Sequence, residues 1–237
     1  MILLVLPPRP HAVVLTYHDV IQRRGAGSVW FDCTTDELRS QLDFLSRKGA
    51  RFVSIAQLEA AFDGRKSLPP HAVALTFADN YRGFLLRAWP ILKARRIPAT
   101  LFVHTDFIGS PVGRPKMTWD ELATLRRSGL VTVASQTRSH PADLTRLSDS
   151  QLTAEFVGSK AAIERRLGPC RYLAYPNGKY DVRAARFVRA AGYALAFTEV
   201  LKPTDLAPDR WRIPRYVHTR YRQAMSDLSA GPARADN

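Results

Sequence analysis

Short apolar runs alternating with helical patterns constrain this chain more than any other feature. The runs are "AVVLTYHD" (12–19), "RFVSI" (51–55), "AVALTF" (72–77), "ATLFVHT" (99–105), "VTVASQT" (131–137), "RYLAYP" (171–176) and "ALAFTE" (194–199), with a last one within "RIPRYVH" (212–218). Strands this continuously apolar are buried on both faces, which argues for parallel pairing. The segments between them carry helix starts. Thr34 with Glu37, Thr118 with Glu121 and Ser148 with Gln151 each match a capping box, in which two side chains satisfy orphan amides of the first turn. Leu38, Leu42 and Leu45, and then Leu122 and Leu125, follow at helical spacing, and Gly49, Gly129, Gly168 and Gly192 stand where the helices should stop. The pattern predicts a β/α barrel or an open doubly wound sheet. No GxGxxG or GxxxxGK[ST] follows a strand, so the nucleotide-binding versions lose ground.

A chain of 237 residues with 46% hydrophobic content can bury one α/β core or two small ones. No apolar run is long enough to span a membrane. The start, "MILLVLPPRPHAVVL", holds six apolar residues without a basic segment before them, short of a complete signal peptide. We expect an N-terminal extension over 1–11, one domain over 12–220 and a flexible polar tail over 221–237. The net charge of +14 rests on 35 basic residues, seven of them Lys, and favours anionic polymers in general. The Arg residues are scattered singly or in pairs, and no nucleic-acid motif accompanies them, so no specific nucleic-acid partner is expected. Cys33 and Cys170 lack CxxC spacing and read as free thiols.

Parallel β/α folds gather function at the C-terminal ends of their strands. Those ends carry Tyr17, His18 and Asp19; Asp79 and Asn80; His104, Thr105 and Asp106; Gln136 and His140; and Tyr175, Pro176 and Asn177. Four of the six histidines fall at strand ends, and Asp, His and carboxamide at one mouth make a mixed oxygen and nitrogen set for a divalent metal. Each residue alone has a plainer reading, as a hydrogen-bonded strand-end histidine or an N-capping Asp.

Three segments carry a family resemblance. "LTFADNY" resembles the T-F-D-D-G block of the polysaccharide deacetylases (carbohydrate esterase family 4, the NodB-homology domain), residues 135–144 resemble its S-H-T-x-x-H-P block, and "YLAYPNGKY" its F-x-x-P-Y-G block. The likeness spans roughly residues 12 to 218, and the branch with an N-terminal "YH" strand is nearest. It implies a distorted (β/α) barrel of about seven parallel strands. It also implies a hydrolase that removes acetyl groups from N-acetylated glycans with a divalent metal, zinc being expected, and association with the cell envelope.

Carried over residue by residue, the resemblance makes Asp79 the metal carboxylate and His140 a metal histidine. Ala78 stands at the general-base position, and a methyl group takes no proton. Gln136 stands at the first metal-histidine position, where a carboxamide is a weak zinc ligand. Asn80 replaces a Gly, and Asn177 replaces the Tyr whose amide helps bind the oxyanion. Three accounts remain open: a degenerate deacetylase that keeps glycan binding; an active one using substitutes, with His104 as ligand and His18 or Asp19 as base; or an Asp→Ala change introduced into a working enzyme, which leaves Gln136 and Asn80 unexplained. His18, Asn80, Tyr175, Pro176 and Asn177 are the expected substrate contacts. His218, in "RIPRYVHT", is a candidate general acid, and Tyr17, Trp30, Trp119, Tyr175 and Tyr180 are candidate sugar-stacking rings.

Overall fold

The structure, a computed structural model, describes residues 9–232. Its strands are β1 (Val13–Tyr17), β2 (Val20–Ile21), β3 (Cys33–Thr34), β4 (Arg51–Val53), β5 (Ala72–Phe77), β6 (Ala99–Val103), β7 (Val131–Ser135), β8 (Tyr172–Ala174), β9 (Leu195–Phe197) and β10 (Tyr216–Val217). The helices are α1 (Thr35–Arg47), α2 (Ile55–Phe62), α3 (Trp89–Ala94), α4 (Trp119–Arg127), α5 (Asp149–Leu167), α6 (Val182–Ala190) and α7 (Tyr221–Ser229).

Seven strands follow one path, β10-β1-β5-β6-β7-β8-β9, every pair parallel. β4 pairs with the first half of β5, at Ala72 to Ala74, while β6 takes Leu75 to Phe77. β2 and β3 form a small separate pair. The sheet curls into a half-barrel, and a bridge from Phe197 to Ile213 ties β9 to the segment that becomes β10. Strand alternation divides the apolar residues between two cores. Leu15, Leu75, Leu101 and Val133 pack against Leu38, Leu42, Leu122 and Phe156 of the outer helices. Val14, Ala74, Phe102, Ala134, Ala174 and Phe197 fill the smaller core, with Ile55 and Leu58 of α2.

All three expected capping boxes form, and a fourth, Ser54 with Gln57, starts α2. That cap ends β4 at Val53, two residues before the sequence pattern suggests. Gly168 ends α5 at φ 82°, a left-handed conformation that glycine adopts without a Cβ clash. The flexible tail expected from residue 221 is corrected: residues 221–229 are α7, whose Ala224, Met225 and Leu228 are buried in the larger core. Arg9 and His11 are likewise docked, His11 through Nδ1 to Asp205 (2.7 Å) and Nε2 to the Leu228 carbonyl (3.0 Å). Residues 1–8 and 233–237 of the expected extension and tail lie outside the described residues. Cys33 and Cys170 are free and buried, and burial pushes both thiols up. No helix of the described residues is long and apolar enough to cross a membrane.

Candidate active-site cleft at the strand ends

After β5 the chain turns sharply. Ala78 continues the strand, buried, with its N–H donated to the Tyr17 carbonyl (2.8 Å). Asp79 (φ 69°) and Asn80 (φ 56°) then take left-handed backbone. The strained turn is held from outside: the Asp79 carbonyl accepts from Lys116 Nζ (2.8 Å) and from His104 Nε2 (3.0 Å). Asn80 Nδ2 donates to the Met117 carbonyl, and Met117 N–H to the Asn80 carbonyl, both at 3.0 Å. Asn is among the few non-glycine residues that tolerate this region, so its presence where the resemblance has Gly keeps the turn.

The end of β7 is built the same way. Thr137 (φ 69°) and His140 (φ 55°) are left-handed, and Glu155 of α5 reaches under the turn. Its carboxylate accepts the N–H groups of Arg138 (2.8 Å) and Ser139 (2.9 Å) and the Ser139 hydroxyl (2.7 Å).

Gln136 joins the two turns. Its Oε1 accepts the Asp79 N–H (2.9 Å), and its Nε2 lies 3.2 Å from His140 Nε2. An N–H can be met only by the carboxamide oxygen, so the amide orientation is fixed. The NH₂ end therefore donates to His140, whose Nε2 lone pair is the acceptor. His140 Nε2 also lies 3.6 Å from Asp79 Oδ1. Burial would raise the Asp79 carboxyl, but His18, His140, His104 and Lys116 outweigh it and hold it below the usual carboxylate value.

The remaining candidates are placed unevenly. His104 turns Nε2 to the backbone of Asp79, not to its carboxylate, and burial lowers its pKa to about 4. His18 is half-buried with Nδ1 unpartnered, its ring 4.8 Å from Phe31; burial lowers its pKa against the pull of Asp79. Asp19 is raised by burial, opposed by Arg114 (3.3 Å), which also grips Asp32. Its Oδ1 lies where a Cβ on Gly83 would sit, so position 83 admits only glycine. His218 is buried in a stack with Tyr17 at 5.1 Å, and burial depresses its pKa to about 4, so its ring is uncharged at neutral pH. Tyr175 is buried and donates to the Trp211 carbonyl (2.9 Å), beside Pro176 and the left-handed Asn177 (φ 53°), whose amide reaches the Ala142 carbonyl (3.4 Å). Among the expected stacking rings Tyr17 and Tyr175 are core, and Trp30 is 65% exposed.

Two adjoining cavities open here. An inner one of about 250 Å³ is lined by Asp79, Tyr81, His104, Phe107, Lys116 and His140. An outer one of about 450 Å³ shares Tyr81, His104, Phe107 and Lys116 and continues to Phe31, Val112 and Arg114.

Residues 65–196 match the family model described as polysaccharide deacetylase. The chain belongs to the polysaccharide deacetylase family. It is 34% identical over 221 residues to the poly-beta-1,6-N-acetyl-D-glucosamine N-deacetylase of Escherichia coli (strain K12), covering 84% of this chain and 30% of that protein. The chain thus spans less than a third of that relative's length. The solved structure of IcaB from Ammonifex degensii superposes with a TM-score of 0.80 at 27% identity, over 92% of this chain and 97% of the other. A Streptococcus pyogenes deacetylase, PplD, in complex with acetate, has the same fold, with a TM-score of 0.81 at 22% identity over 91% and 98% of the two chains.

Measured against a deacetylase metal centre, this cleft falls short. Asp79 Oδ1 is buried and unpartnered, and 3.6 Å from His140 Nε2 is a separation that two ligands of one ion can have. A third donor is missing, because the Gln136 oxygen is engaged by a backbone N–H and its NH₂ occupies the His140 lone pair. Among the described residues no group of three or more His, Cys, Asp or Glu is placed to hold a metal ion.

Sequence reasoning missed Lys116, Phe107 and Glu155. Lys116 lies in a strap before the α4 cap and Glu155 within a helix, so neither stood at a strand end; Phe107 lies just past the polar end of β6.

Proposed function

We propose that this chain is a glycan-binding member of the polysaccharide deacetylase family whose capacity to hydrolyse the acetamide is weak or lost. The observation that carries the reading is the closed hydrogen-bonded group Asp79–Gln136–His140 beside the buried methyl of Ala78. By the resemblance, the general base belongs at position 78 and a zinc-ligating imidazole at 136. Loss of a general base costs about 10²–10⁴ in rate. A metal there would polarise the acetyl carbonyl, but the donors present do not fit one. What the chain keeps is a cleft: Asn80 and Glu155 hold the two turns, and Lys116, His104 and the aromatic walls present donors and apolar faces to a sugar. The ligand class is an N-acetylated glycan, with β-1,6-linked N-acetylglucosamine the first to try because the E. coli relative is named for it. A location at the cell envelope follows from the same reading.

One observation favours residual hydrolysis instead: His18 stands close to Asp79, burial favours its neutral imidazole, and its Nδ1 has no protein partner and is free to act as a base. The test is calorimetric titration with a β-1,6-linked N-acetylglucosamine pentamer, with acetate release followed in parallel. Binding without acetate supports the proposal. Acetate release that vanishes in His18→Gln selects the second reading, and absence of binding sinks the first.

A further inference from the structure

The outer cavity differs in charge from the inner one. Asp79 lines the inner cavity, whereas the titratable side chains lining the outer one are Tyr81, His104, Arg114 and Lys116, with no carboxylate. The Arg114 charge is already met from behind, by Asp32 and Asp19, and its Nη2 donates to the Gly27 carbonyl (2.8 Å). Lys116 is differently placed. Its Nζ donates one hydrogen to the Asp79 carbonyl (2.8 Å) and sits 3.5 Å from the centroid of the Tyr81 ring. An ammonium has three donors; with one on the carbonyl and one turned to the Tyr81 ring, one remains for whatever enters. Around it the walls are apolar: Phe31, Phe107 and Val112, the last 82% exposed at the lip.

We infer that the outer cavity is a second sugar subsite that accepts an N-acetylated residue and rejects a de-N-acetylated one, with Lys116 the discriminating group. The inference rests on the glycan-binding reading above. An acetamido carbonyl accepts a hydrogen bond from the Lys116 ammonium, while the sugar ring lies on Phe31 or Phe107. A free-amine sugar brings an ammonium to the same place and meets like charge in a half-enclosed site with no carboxylate in its wall. The chain then reads the acetylation state of a polymer.

The test compares a fully acetylated β-1,6-linked N-acetylglucosamine pentamer with its de-N-acetylated form by calorimetry, at low and high salt. The acetylated pentamer is expected to bind at least tenfold more tightly at low salt, and the gap to shrink as salt screens the charge. The net charge of +14 repels a cationic polymer everywhere, so two variants isolate the local effect. Lys116→Met keeps the stem and removes one charge; Val112→Asp adds a carboxylate at an exposed lip position that folding tolerates. Each should narrow the gap several-fold while leaving most of the global charge in place. Equal or tighter binding of the de-N-acetylated pentamer, or a gap unmoved by both variants, overturns the inference and leaves glycan binding standing. If neither pentamer binds, both readings fall.

Discussion

Replacing Gln136 by His tests the reading of the cleft most directly. In the chain as it stands Gln136 satisfies the buried Asp79 N–H and donates to His140, doing with two hydrogen bonds what an ion would do with coordinate bonds. Gln136→His leaves the Asp79 N–H unmet, a loss of about 1–3 kcal/mol. It also frees the His140 lone pair and supplies a third donor. Two ligands of a tetrahedral zinc ion, each about 2.0–2.2 Å from it, lie roughly 3.3–3.5 Å apart. The Asp79 Oδ1 to His140 Nε2 separation of 3.6 Å needs little adjustment to meet that. At a free zinc concentration of about 100 times Kd the ion adds ~2.7 kcal/mol to stability. In a chain of this size that raises Tm by roughly 5–10 °C. Thermal unfolding with zinc and with chelator reads both changes. Gln136→His should melt below the unchanged protein in chelator and rise with zinc, while the unchanged protein stays within about 1 °C. If the unchanged protein rises as far as the variant, Asp79, Gln136 and His140 already hold an ion, and the closed-group reading is wrong.

Other expectations follow from single residues. Ala78→Asp combined with Gln136→His should release acetate from the pentamer at least ~10²-fold faster than the unchanged chain, because base and third ligand return together. Glu155→Ala strips the acceptor from two turn amides and a hydroxyl and should cost about 2–4 kcal/mol in urea unfolding; a loss under ~0.5 kcal/mol would mean water replaces it fully. Trp30→Ala, at an exposed ring, should leave Tm unchanged within about 1 °C and weaken pentamer binding roughly 2–10-fold; unaltered binding removes Trp30 from the cleft's function. His218 has a folded pKa of about 4 against about 6.5 unfolded, so the unfolded chain binds the extra proton between those values. Its contribution to stability is therefore fully present above pH 6.5 and lost as pH falls towards 4, about 2 kcal/mol at pH 5. Urea midpoints at pH 7 and pH 5 should converge in His218→Gln by that amount, and an unchanged pH dependence would contradict it.

The parallel β/α sheet was legible because two signals agreed, apolar runs too continuous for one-faced strands and capping boxes between them; the barrel form came only with the family resemblance. What the sequence overstated were strand ends. "ATLFVHT" and "VTVASQT" keep alternating past Val103 and Ser135, but Thr137 turns left-handed and the ladder stops. Nothing in a hydrophobic pattern marks such a turn unless Gly or Asn-Gly stands there. Helix α7 was hidden by its small and polar residues, though Ala224, Met225 and Leu228 carry a narrow apolar stripe. In the cleft, residues at strand ends were found, and residues that arrive from outside the strands were not. Lys116 reaches Asp79 across 37 positions, Glu155 reaches Ser139 across 16, and Arg114 reaches Asp32 across 82.

Backbone strain is concentrated around the cleft. Asp79, Asn80, Thr137, His140 and Asn177 are all left-handed and all lie at strand ends around the cleft. Such conformations cost of order 1–3 kcal/mol each and last only where the surroundings impose them. Here the imposing contacts are specific: Lys116 and His104 on the Asp79 carbonyl, Asn80 on Met117, and Glu155 under the β7 turn. Buried polar atoms without a protein partner gather at the same end, among them His18 Nδ1, Asp79 Oδ1, Asn80 Oδ1 and His104 Nδ1. Each needs water or a ligand to meet it. A ligand dense in hydroxyl and carbonyl groups can replace those waters bond for bond, which an apolar molecule cannot. On the glycan-binding reading these unmet polar atoms are what a sugar would satisfy, and cyclohexanol-like fragments with one hydroxyl should bind the cleft far more weakly than N-acetylglucosamine itself. Equal binding of the two would mean that the apolar walls, and not the unmet polar atoms, dominate the site.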